Sequence, residues 1–391
     1  MPTLISRLGW VTAGLIAAMA LGAGSAAAQI MIVGNDQKPG IDRPTLAAPG
    51  KDTLSIIDIT KPAITMIASI PLDNTIVGPP TNLAVTPNRE LALVANSINA
   101  VPKDNAFAAV SDDRLFVIDL TARPPKVIAT VKLGKRPSGM AINRAGNLAL
   151  VANRDDGTIS VLSIVGKEVK VTDTVTVGAG PEQVTGVAIT PDGKRALAVK
   201  SGANKIAVLA IADGKVTYNK EDLPVGIFPY NVAITPNGKL ALTADCGNGG
   251  SSDGHADTLS VIDLEANPIR VIEHINTGDS PEGLAISPKG NIAVTIEARG
   301  SNRPKNTWYY HPGGAVSVFK IDGKKVTRTH EVTVGVLPEG AVFSGDGSRL
   351  YVGNFYDSDM SYLRVVGDRV VDTGQRYNLP GQPASMRGGP Q

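Results

Sequence analysis

Cysteine, histidine and aromatic side chains are scarce in this sequence. Cys246 is the one cysteine among 391 residues, so no disulfide can form within the chain and the fold cannot depend on one. The aromatic residues make up 4% of the chain. There is no Cys-x-x-Cys-His motif for covalent haem, and three of the four histidines lack metal-ligand spacing: His274, His311 and His330.

An excess of one charge is also lacking. Residues 1–28 contain Arg7 and no acid, so their removal leaves 37 basic against 36 acidic residues, a net charge of +1. Nucleic-acid binding requires a strongly basic face. We therefore expect no nucleic-acid partner.

The N-terminus carries the pattern of a secretory signal peptide. Arg7 precedes an apolar stretch, residues 8–21, and Ala26-Ala-Ala28 before Gln29 matches an A-x-A cleavage site. The stretch is shorter than the ~20 residues of a membrane-spanning helix. We expect 1–28 to be removed and the rest to reach a bacterial periplasm or the exterior, with no membrane span. The alternative is a retained N-terminal anchor.

A short phrase recurs along the chain. In Ile234-Thr-Pro-Asn-Gly-Lys-Leu-Ala-Leu-Thr-Ala-Asp245, a Pro-Asn-Gly turn separates two apolar strands. The equivalent turn positions lie 45 to 57 residues apart: Pro87, Arg144, Pro191, Pro236, Pro288 and Gly345. A repeat of this length, built of short strands, is typical of a β-propeller.

Each repeat predicts four strands, since a third apolar strand such as 258–264 and a fourth ending in Gly, such as 331–335, follow the phrase. Residues 379–387 look like a lone first strand, and the N-terminus supplies a unit that lacks one. We expect one all-β domain, 29–391: a seven-bladed β-propeller with four antiparallel strands per blade. A split blade, 29–72 plus 379–390, closes the ring and leaves no open sheet edge. The alternative is an irregular six-bladed ring.

The phrase Leu350-Tyr-Val-Gly-Asn354, with Leu148-Ala-Leu-Val-Ala-Asn153 and the recurring Ser-Val-Ile-Asp, resembles the YVTN family of β-propeller repeats. The matching repeats cover almost all of the chain after residue 30. The resemblance implies the architecture. The family includes binding proteins, surface-layer proteins and lactonase-like proteins, so function must be argued from the site.

The loops between second and third strands vary in length. Those at 35–52, 96–113, 245–257 and 298–313 are long, whereas 154–157 is minimal. In a propeller these loops share one face with the connections between blades. Long loops on a rigid scaffold often carry binding sites, so this is the candidate functional face. The alternative is that loop length drifted without function.

Polar residues are predicted at the channel mouth on this face. First strands begin with Asn82, Ser138, Glu182, Tyr230, Asn231, Glu282, Glu339 and Gln382. Second strands end with Asn35, Asn96, Asn153, Arg154, Lys200, Asp245, Glu297, Arg299 and Asn354. The cations Arg154, Lys200 and Arg299 suit an anionic or polar small molecule. The alternative is a water-filled mouth.

Glu282 and Glu339 stand at equivalent places in adjacent repeats, each within Pro-Glu-Gly, and should be close in space. With Asn354 they offer oxygen ligands for Ca²⁺, a possible cofactor. As a pair with different pKa values they are candidate catalytic residues. Pro-Glu-Gly is also explained as ordinary repeat sequence.

Two loops carry unusual side chains. Cys246 and His255 share a glycine-rich loop, where they form either a nucleophile or soft-metal pair or a free, half-buried thiol beside an unrelated histidine. Trp308, Tyr309, Tyr310 and His311 are consecutive in another loop, with Phe355 and Tyr356 equivalent in the next repeat. These rings either form two walls of a ligand site or pack the loop onto the rim.

Two classes of function fit these residues. The first is an exported binding scaffold, a monomer, whose partner is a protein, a glycan or a small polar ligand. The second, implied by the resemblance, is a lactonase-like hydrolase or isomerase of a small lactone or organic acid. Glu282 or Glu339 would then act as base, with Arg154 or Arg299 holding a carboxylate. A quinone or haem accessory role is a third possibility.

Overall fold

The fold consists of seven four-stranded antiparallel sheets arranged as a ring. The computed structural model describes residues 29–41, 45–248 and 251–389, so the predicted signal peptide lies outside the described residues. Between the strands are two single-turn 3-10 helices, Gly180–Glu182 and Ser201–Ala203. In the described part of the chain, no helix has the length and apolar character needed to cross a bilayer. The protein is the predicted seven-bladed β-propeller.

The blades run from an inner strand at the channel to an outer strand at the rim. Strands are numbered in chain order. Blade 1 contains β28 (Gln382–Gly388), β1 (Ile30–Asp36), β2 (Thr53–Asp58) and β3 (Thr65–Pro71). Blade 2 contains β4 (Leu83–Val85), β5 (Leu91–Lys103), β6 (Ala106–Asp119) and β7 (Lys126–Lys132). Blade 3 contains β8 (Pro137–Ile142), β9 (Leu148–Asn153), β10 (Thr158–Val165) and β11 (Glu168–Thr176).

The remaining four blades repeat this order. Blade 4 contains β12 (Val184–Ile189), β13 (Arg195–Lys200), β14 (Lys205–Ala212) and β15 (Lys215–Pro224). Blade 5 contains β16 (Pro229–Ile234), β17 (Leu240–Asp245), β18 (Thr258–Asp263) and β19 (Arg270–Asn276). Blade 6 contains β20 (Pro281–Ile286), β21 (Ile292–Glu297), β22 (Ala315–Asp322) and β23 (Lys325–Thr333). Blade 7 contains β24 (Pro338–Phe343), β25 (Arg349–Asn354), β26 (Asp359–Val366) and β27 (Arg369–Asn378).

The two ends of the chain close the ring. β28 pairs antiparallel with β1, from Met31 opposite Gly388 to Asp36 opposite Gln382. The C-terminal segment thereby becomes the inner strand that the N-terminal unit lacks. This pairing confirms the split blade and excludes a six-bladed ring with frayed ends.

Side-chain hydrogen bonds explain why the turn phrase recurs. The Thr235 hydroxyl donates to Asn237 Oδ1 at 2.7 Å and accepts from the Leu240 N–H at 3.0 Å. Gly238 has φ of +73°, a conformation that costs glycine little. In blade 2 Arg89 adopts φ of +61° at the equivalent place. The phrase is therefore a turn fixed by its own side chains.

The core lies between blades. The cluster shared by blades 3 and 4 includes Leu150, Val161, Val187 and Leu209, all buried. Inner strands and the two that follow them are largely buried, while outer strands such as β11 are largely exposed. Each blade therefore buries both faces of its inner three strands, as their nearly continuous apolar sequences indicate.

Residues 96–113 are not a loop as expected. β5 and β6 continue pairing outward, with Asn99 opposite Val110 and Lys103 opposite Ala106. The extension is a β-ribbon that ends in a tight turn, where Asp104 has φ of +54°. Its backbone groups pair with each other, which satisfies them better than an irregular loop of that length would.

A buried ion cluster holds the longest connection between blades, residues 72–82. Lys38 is 1% exposed; its ammonium pairs with Asp36 at 2.8 Å and with Asp52, and donates to the Asn74 carbonyl at 2.9 Å. The Asp36 carboxylate also accepts the Val77 N–H at 3.2 Å. These contacts fix the connection to blade 1.

We expect Lys38→Met to lower the free energy of unfolding by about 3–5 kcal/mol, because it leaves two acids buried without a cation. Urea denaturation measures the change. Lys170→Met is the matched control: Lys170 pairs with Glu168 at 2.6 Å on the surface, where both are well exposed. Its loss should cost under about 1 kcal/mol. Equal effects would show that the buried cluster does not stabilise the fold.

Candidate functional site at the loop-face mouth of the channel

The loop face, with the connections between blades, and the turn face, with the Pro-Asn-Gly turns, are the two ends of a central channel. The residue six positions before each turn position lies at the start of the inner strand of its blade. These are Thr81, Ser138, Thr185, Tyr230, Glu282 and Glu339, with Ala384 in the split blade by its register. Tyr230, Glu282 and Glu339 therefore occupy the predicted positions in three consecutive blades.

Three predicted mouth residues lie elsewhere. Glu182 belongs to the connection 177–183, which is three residues longer than those that enter blades 3, 5, 6 and 7; it accepts the Ala179 N–H at 2.7 Å and pairs with Lys200 at 2.9 Å. Asn82 is buried and donates to the Ala95 carbonyl at 2.6 Å. Gln382 comes two residues before the inner-strand position of its blade. The longer connection moves the start of the inner strand in blade 4. Counting residues from the preceding glycine therefore placed Glu182 wrongly.

Glu282 and Glu339 form an unusual carboxyl pair. Glu339 is 0% exposed, and neither of its oxygens has a hydrogen-bond partner among the described residues. Burial, reinforced by the charge of Glu282, raises its pKa well above the usual range. Burial also raises the pKa of half-buried Glu282 to about 7, against the opposing charge of Arg154. The effect of the Glu282 charge on Glu339 supports the predicted proximity, and burial favours the protonated form of Glu339.

Two arginines and a tyrosine complete the mouth. The Arg154 guanidinium donates to Gln183 Oε1 at 3.0 and 2.5 Å, and lies 5.6 Å from the centre of the Tyr230 ring. Burial and the charge of Arg154 lower the pKa of Arg136. Burial raises the pKa of Tyr230, so its hydroxyl stays protonated. The mouth therefore combines positive charge, a π face and carboxyl groups.

Arg136 was not found by sequence reasoning. It has φ of +54°, and the residues just before the inner strands of other blades share that conformation: Gln183, Phe228, Ser280 and Leu337. Left-handed backbone is costly for a residue with a Cβ and often marks functional regions. The available signal was Arg136-Pro137, where blades 5, 6 and 7 have Phe-Pro, Ser-Pro and Leu-Pro.

The connection 72–82 crosses the mouth. A Cβ at Gly78 would lie 3.4 Å from Glu339 Oε2 and 3.8 Å from the Tyr230 hydroxyl. Val77 packs against a buried cluster that includes Phe355 and Ala384. Because these residues belong to blades 5, 7 and 1, the connection covers part of the opening.

The residues that end the second strands do not line the mouth. All are buried and engaged within or between blades: Asn35, Asn96, Asn153, Lys200, Asp245, Glu297 and Asn354. Asn354 donates to Asp359 at 2.6 Å and accepts the Gly335 N–H at 2.9 Å. Glu297 accepts the Gly278 N–H at 3.0 Å. Their predicted ligand-binding role stays a prediction, and the geometry supports a role in seating the connection from the preceding blade.

The other two predicted cations also point away. Lys200 pairs with Asp222 on β15 at 3.0 Å, and Arg299 pairs with Glu331 on β23 at 2.7 Å. Both partners lie on outer strands. Of the three cations proposed for an anion, Arg154 is the one whose charge reaches Glu282.

The Ca²⁺ set of Glu282, Glu339 and Asn354 stays a prediction. The Asn354 side-chain oxygen already accepts a backbone N–H, as described above. Within the described ranges, no group of three His, Cys, Asp or Glu residues is placed to hold a metal ion.

The loops of blades 5 and 6 pack on each other. The Gly300 N–H donates to Ser252 Oγ at 2.9 Å, and the His255 and Trp308 rings meet edge-on with centres 6.2 Å apart. Trp308 remains 75% exposed, with half-buried Tyr309 behind it at 5.2 Å. The indole is a flat exposed surface on the rim.

Two expectations for these loops need correction. Phe355 is fully buried in the cluster that Val77 covers, so it does not form a second wall. Cys246 is fully buried rather than half-buried, and its thiol donates to the Pro281 carbonyl at 2.7 Å. Burial raises the pKa of this thiol. His255 pairs instead with Asp253 at 3.2 Å, so the two do not act as nucleophile and base.

Solved structures share this fold at low sequence identity. A periplasmic gluconolactonase of Pseudomonas aeruginosa is 16% identical with a TM-score of 0.68, over 93% of this chain and 99% of that one. A proposed 6-phosphogluconolactonase of Bacteroides uniformis gives the same identity and TM-score over 92% and 99%. Hydrazine synthase of Kuenenia stuttgartiensis is 19% identical with a TM-score of 0.60 over 80% and 90%. The likeness shows a common fold.

Sequence comparison adds a more limited relation. No known family profile matches the chain. An uncharacterised WD repeat-containing protein of Synechocystis is 28% identical over 171 residues, which are 44% of this chain and 41% of that protein. The chain thus spans less than half of the length of this curated relative.

The raised pKa of Glu282 predicts a pH dependence. The folded protein holds this proton up to about pH 7, whereas an ordinary glutamate loses it near 4.5. The folded state therefore binds more protons, and its stability falls as pH rises between these values. We expect Glu282→Gln to raise the free energy of unfolding by about 1–3 kcal/mol at pH 8 and to leave it unchanged at pH 4.

Denaturation curves of parent and variant at both pH values measure this effect. Glu168→Gln, at an exposed position on β11, is the control and should show no pH-dependent difference. A Glu282→Gln effect of equal size at pH 4 and pH 8 would contradict the buried, protonated carboxyl.

Proposed function

We propose that this protein is an exported binding protein whose loop-face mouth takes a small polar anion of the sugar-acid or hydroxy-acid type. The observation that carries the proposal is the set Arg154, Tyr230, Glu282 and Glu339 at one opening. The signal-peptide pattern of residues 1–28 supports export, and the YVTN resemblance is consistent with a binding propeller.

Each group in the mouth suits a part of such a ligand. Arg154 supplies a planar cation for a carboxylate, and Arg136 adds positive charge beside it. In its protonated form, which burial favours, Glu339 has donor and acceptor capacity that no described residue uses, which suits a ligand hydroxyl. The Tyr230 face offers an apolar surface for the carbon skeleton. A purely apolar ligand would leave these polar groups unpaired, which disfavours it.

The second candidate function is hydrolysis of a lactone, favoured by the two carboxyls with different environments. Glu282, with a pKa of about 7, would accept a proton from water as the water oxygen attacks the lactone carbonyl. The ring C–O bond breaks, and Glu339 in its protonated form donates its proton to the leaving oxygen. The new carboxylic acid then gives its proton to the Glu339 carboxylate, and Arg154 pairs with the carboxylate of the hydroxy acid. The gluconolactonase of P. aeruginosa shows that this fold hosts such a substrate in another protein.

Isothermal titration of the purified protein with gluconate, and with glucose as the neutral comparison, tests the binding proposal. We expect gluconate to bind, glucose to bind at least ~10-fold more weakly, and Arg154→Gln to weaken gluconate by ~10-fold or more. Arg299→Gln is the matched control, because it removes the same charge at a distance from the mouth. Gluconate binding that Arg154→Gln leaves unchanged would contradict the proposed site.

The same preparations decide between the two candidates. Opening of gluconolactone, above its rate without protein and abolished in Glu282→Gln, would establish the hydrolase. Binding of gluconate without opening of gluconolactone would support the binding protein instead. A parallel titration with Ca²⁺ tests the predicted metal site of Glu282, Glu339 and Asn354.

A further inference from the structure

The turn-face end of the channel holds a second, separate cavity system. Two adjoining cavities of about 190 and 230 Å³ share Ile142, Ile189, Ile234, Leu284 and Arg387 in their walls. No Asp or Glu among the described residues lines either one. The walls combine apolar side chains with the guanidinium groups of Arg387 and Arg144, and Asn143 and Thr190 add polar groups.

Arg387 stands out against the repeat. In blade 1, Ala384 stands where Glu282 stands in blade 6, and Arg387 is three residues further along the strand. Arg387 is therefore equivalent to Ala285: it pairs with Ile32, as Ala285 pairs with Val294. The equivalent residues of the other six blades are all small and apolar: Ala84, Ala141, Ala188, Ala233, Ala285 and Val342. One blade therefore carries a charge at a level where six carry a methyl or isopropyl group.

The Arg387 guanidinium has few partners. Its Nη2 donates to the Met140 carbonyl at 3.3 Å, while a guanidinium has five N–H donors. Burial lowers the pKa of this group, with no acidic side chain opposing the effect. Among the described residues this is the one acceptor found for the guanidinium, and Arg387 lines both cavities.

We propose that this end of the channel binds a small monoanion with an apolar body, such as a short-chain or aromatic carboxylate. The carboxylate pairs with the Arg387 fork, and the hydrocarbon part packs on Ile142, Ile189 and Ile234. Arg144 at the rim adds positive charge, since its guanidinium is held at the opening by the Pro236 carbonyl at 2.7 Å. This site is independent of the loop-face mouth, whose ligand is expected to be a polyhydroxy acid.

The test is titration of the purified protein with benzoate and hexanoate, with benzyl alcohol and hexanol as neutral comparisons. We expect each carboxylate to bind at least 10-fold more tightly than its alcohol, and Arg387→Met to abolish that preference. Arg387→Lys should retain part of it. Arg154→Gln, at the other end of the channel, is the matched control and should leave benzoate binding unchanged.

Several outcomes would overturn the proposal. They are equal benzoate affinity in Arg387→Met and the parent, no saturable binding of either carboxylate, or inorganic phosphate binding as tightly as benzoate. Unfolding curves without ligand check that Arg387→Met is folded; if it is not, Arg387→Lys decides the matter, since a reduced carboxylate preference supports the proposal and an unchanged one overturns it. Loss of benzoate binding in Arg154→Gln would assign the ligand to the loop-face mouth instead.

Discussion

The ring depends on one recurring contact. The connection that enters a blade packs against the side chain at the end of that blade's second strand. The chain must pass from the rim of one blade to the channel side of the next without leaving buried backbone groups unpaired. In blade 6 the Glu297 carboxylate accepts the Gly278 N–H, and a Cβ at Gly278 would come within 2.0 Å of that carboxylate. Asp245 occupies the same space beside Gly226, at 2.2 Å. The glycine that follows each such outer strand is therefore required by space as much as by turn geometry.

This seating also determines what the mouth can do. Because each connection is held close to the channel, the first residue of each inner strand is directed into the opening by a fixed backbone. Glu339 is consequently buried, with no partner for either oxygen among the described residues, at a cost that the rest of the ring offsets. Lys38 fixes the connection 72–82, which passes over Glu339. Together these contacts make a partly covered site, and charges act more strongly where they are buried.

How much of this could be predicted from the sequence differs between the fold and the site. The turn phrase and the apolar strands were enough for seven blades, and the lone first strand at 379–387 was enough for the split blade. The positions of Tyr230, Glu282 and Glu339 followed from the repeat. Side-chain direction did not follow, because long side chains at strand ends reach partners on outer strands. Lys200 and Arg299 pair there, and Arg136 is aimed at the mouth by a backbone conformation that residue type does not reveal.

The separation of charges along the channel is the last consequence of the repeat. Glu282 and Arg387 stand at levels three residues apart on their inner strands, about 10 Å at ~3.3 Å per residue. Among the described residues no acidic side chain acts on Arg387, and the cation that acts on Glu282 is Arg154. A salt bridge between Glu282 and Arg387 would have paired both charges. Because the two stand in different layers, the carboxyls at the loop face stay separate from the guanidinium at the turn face.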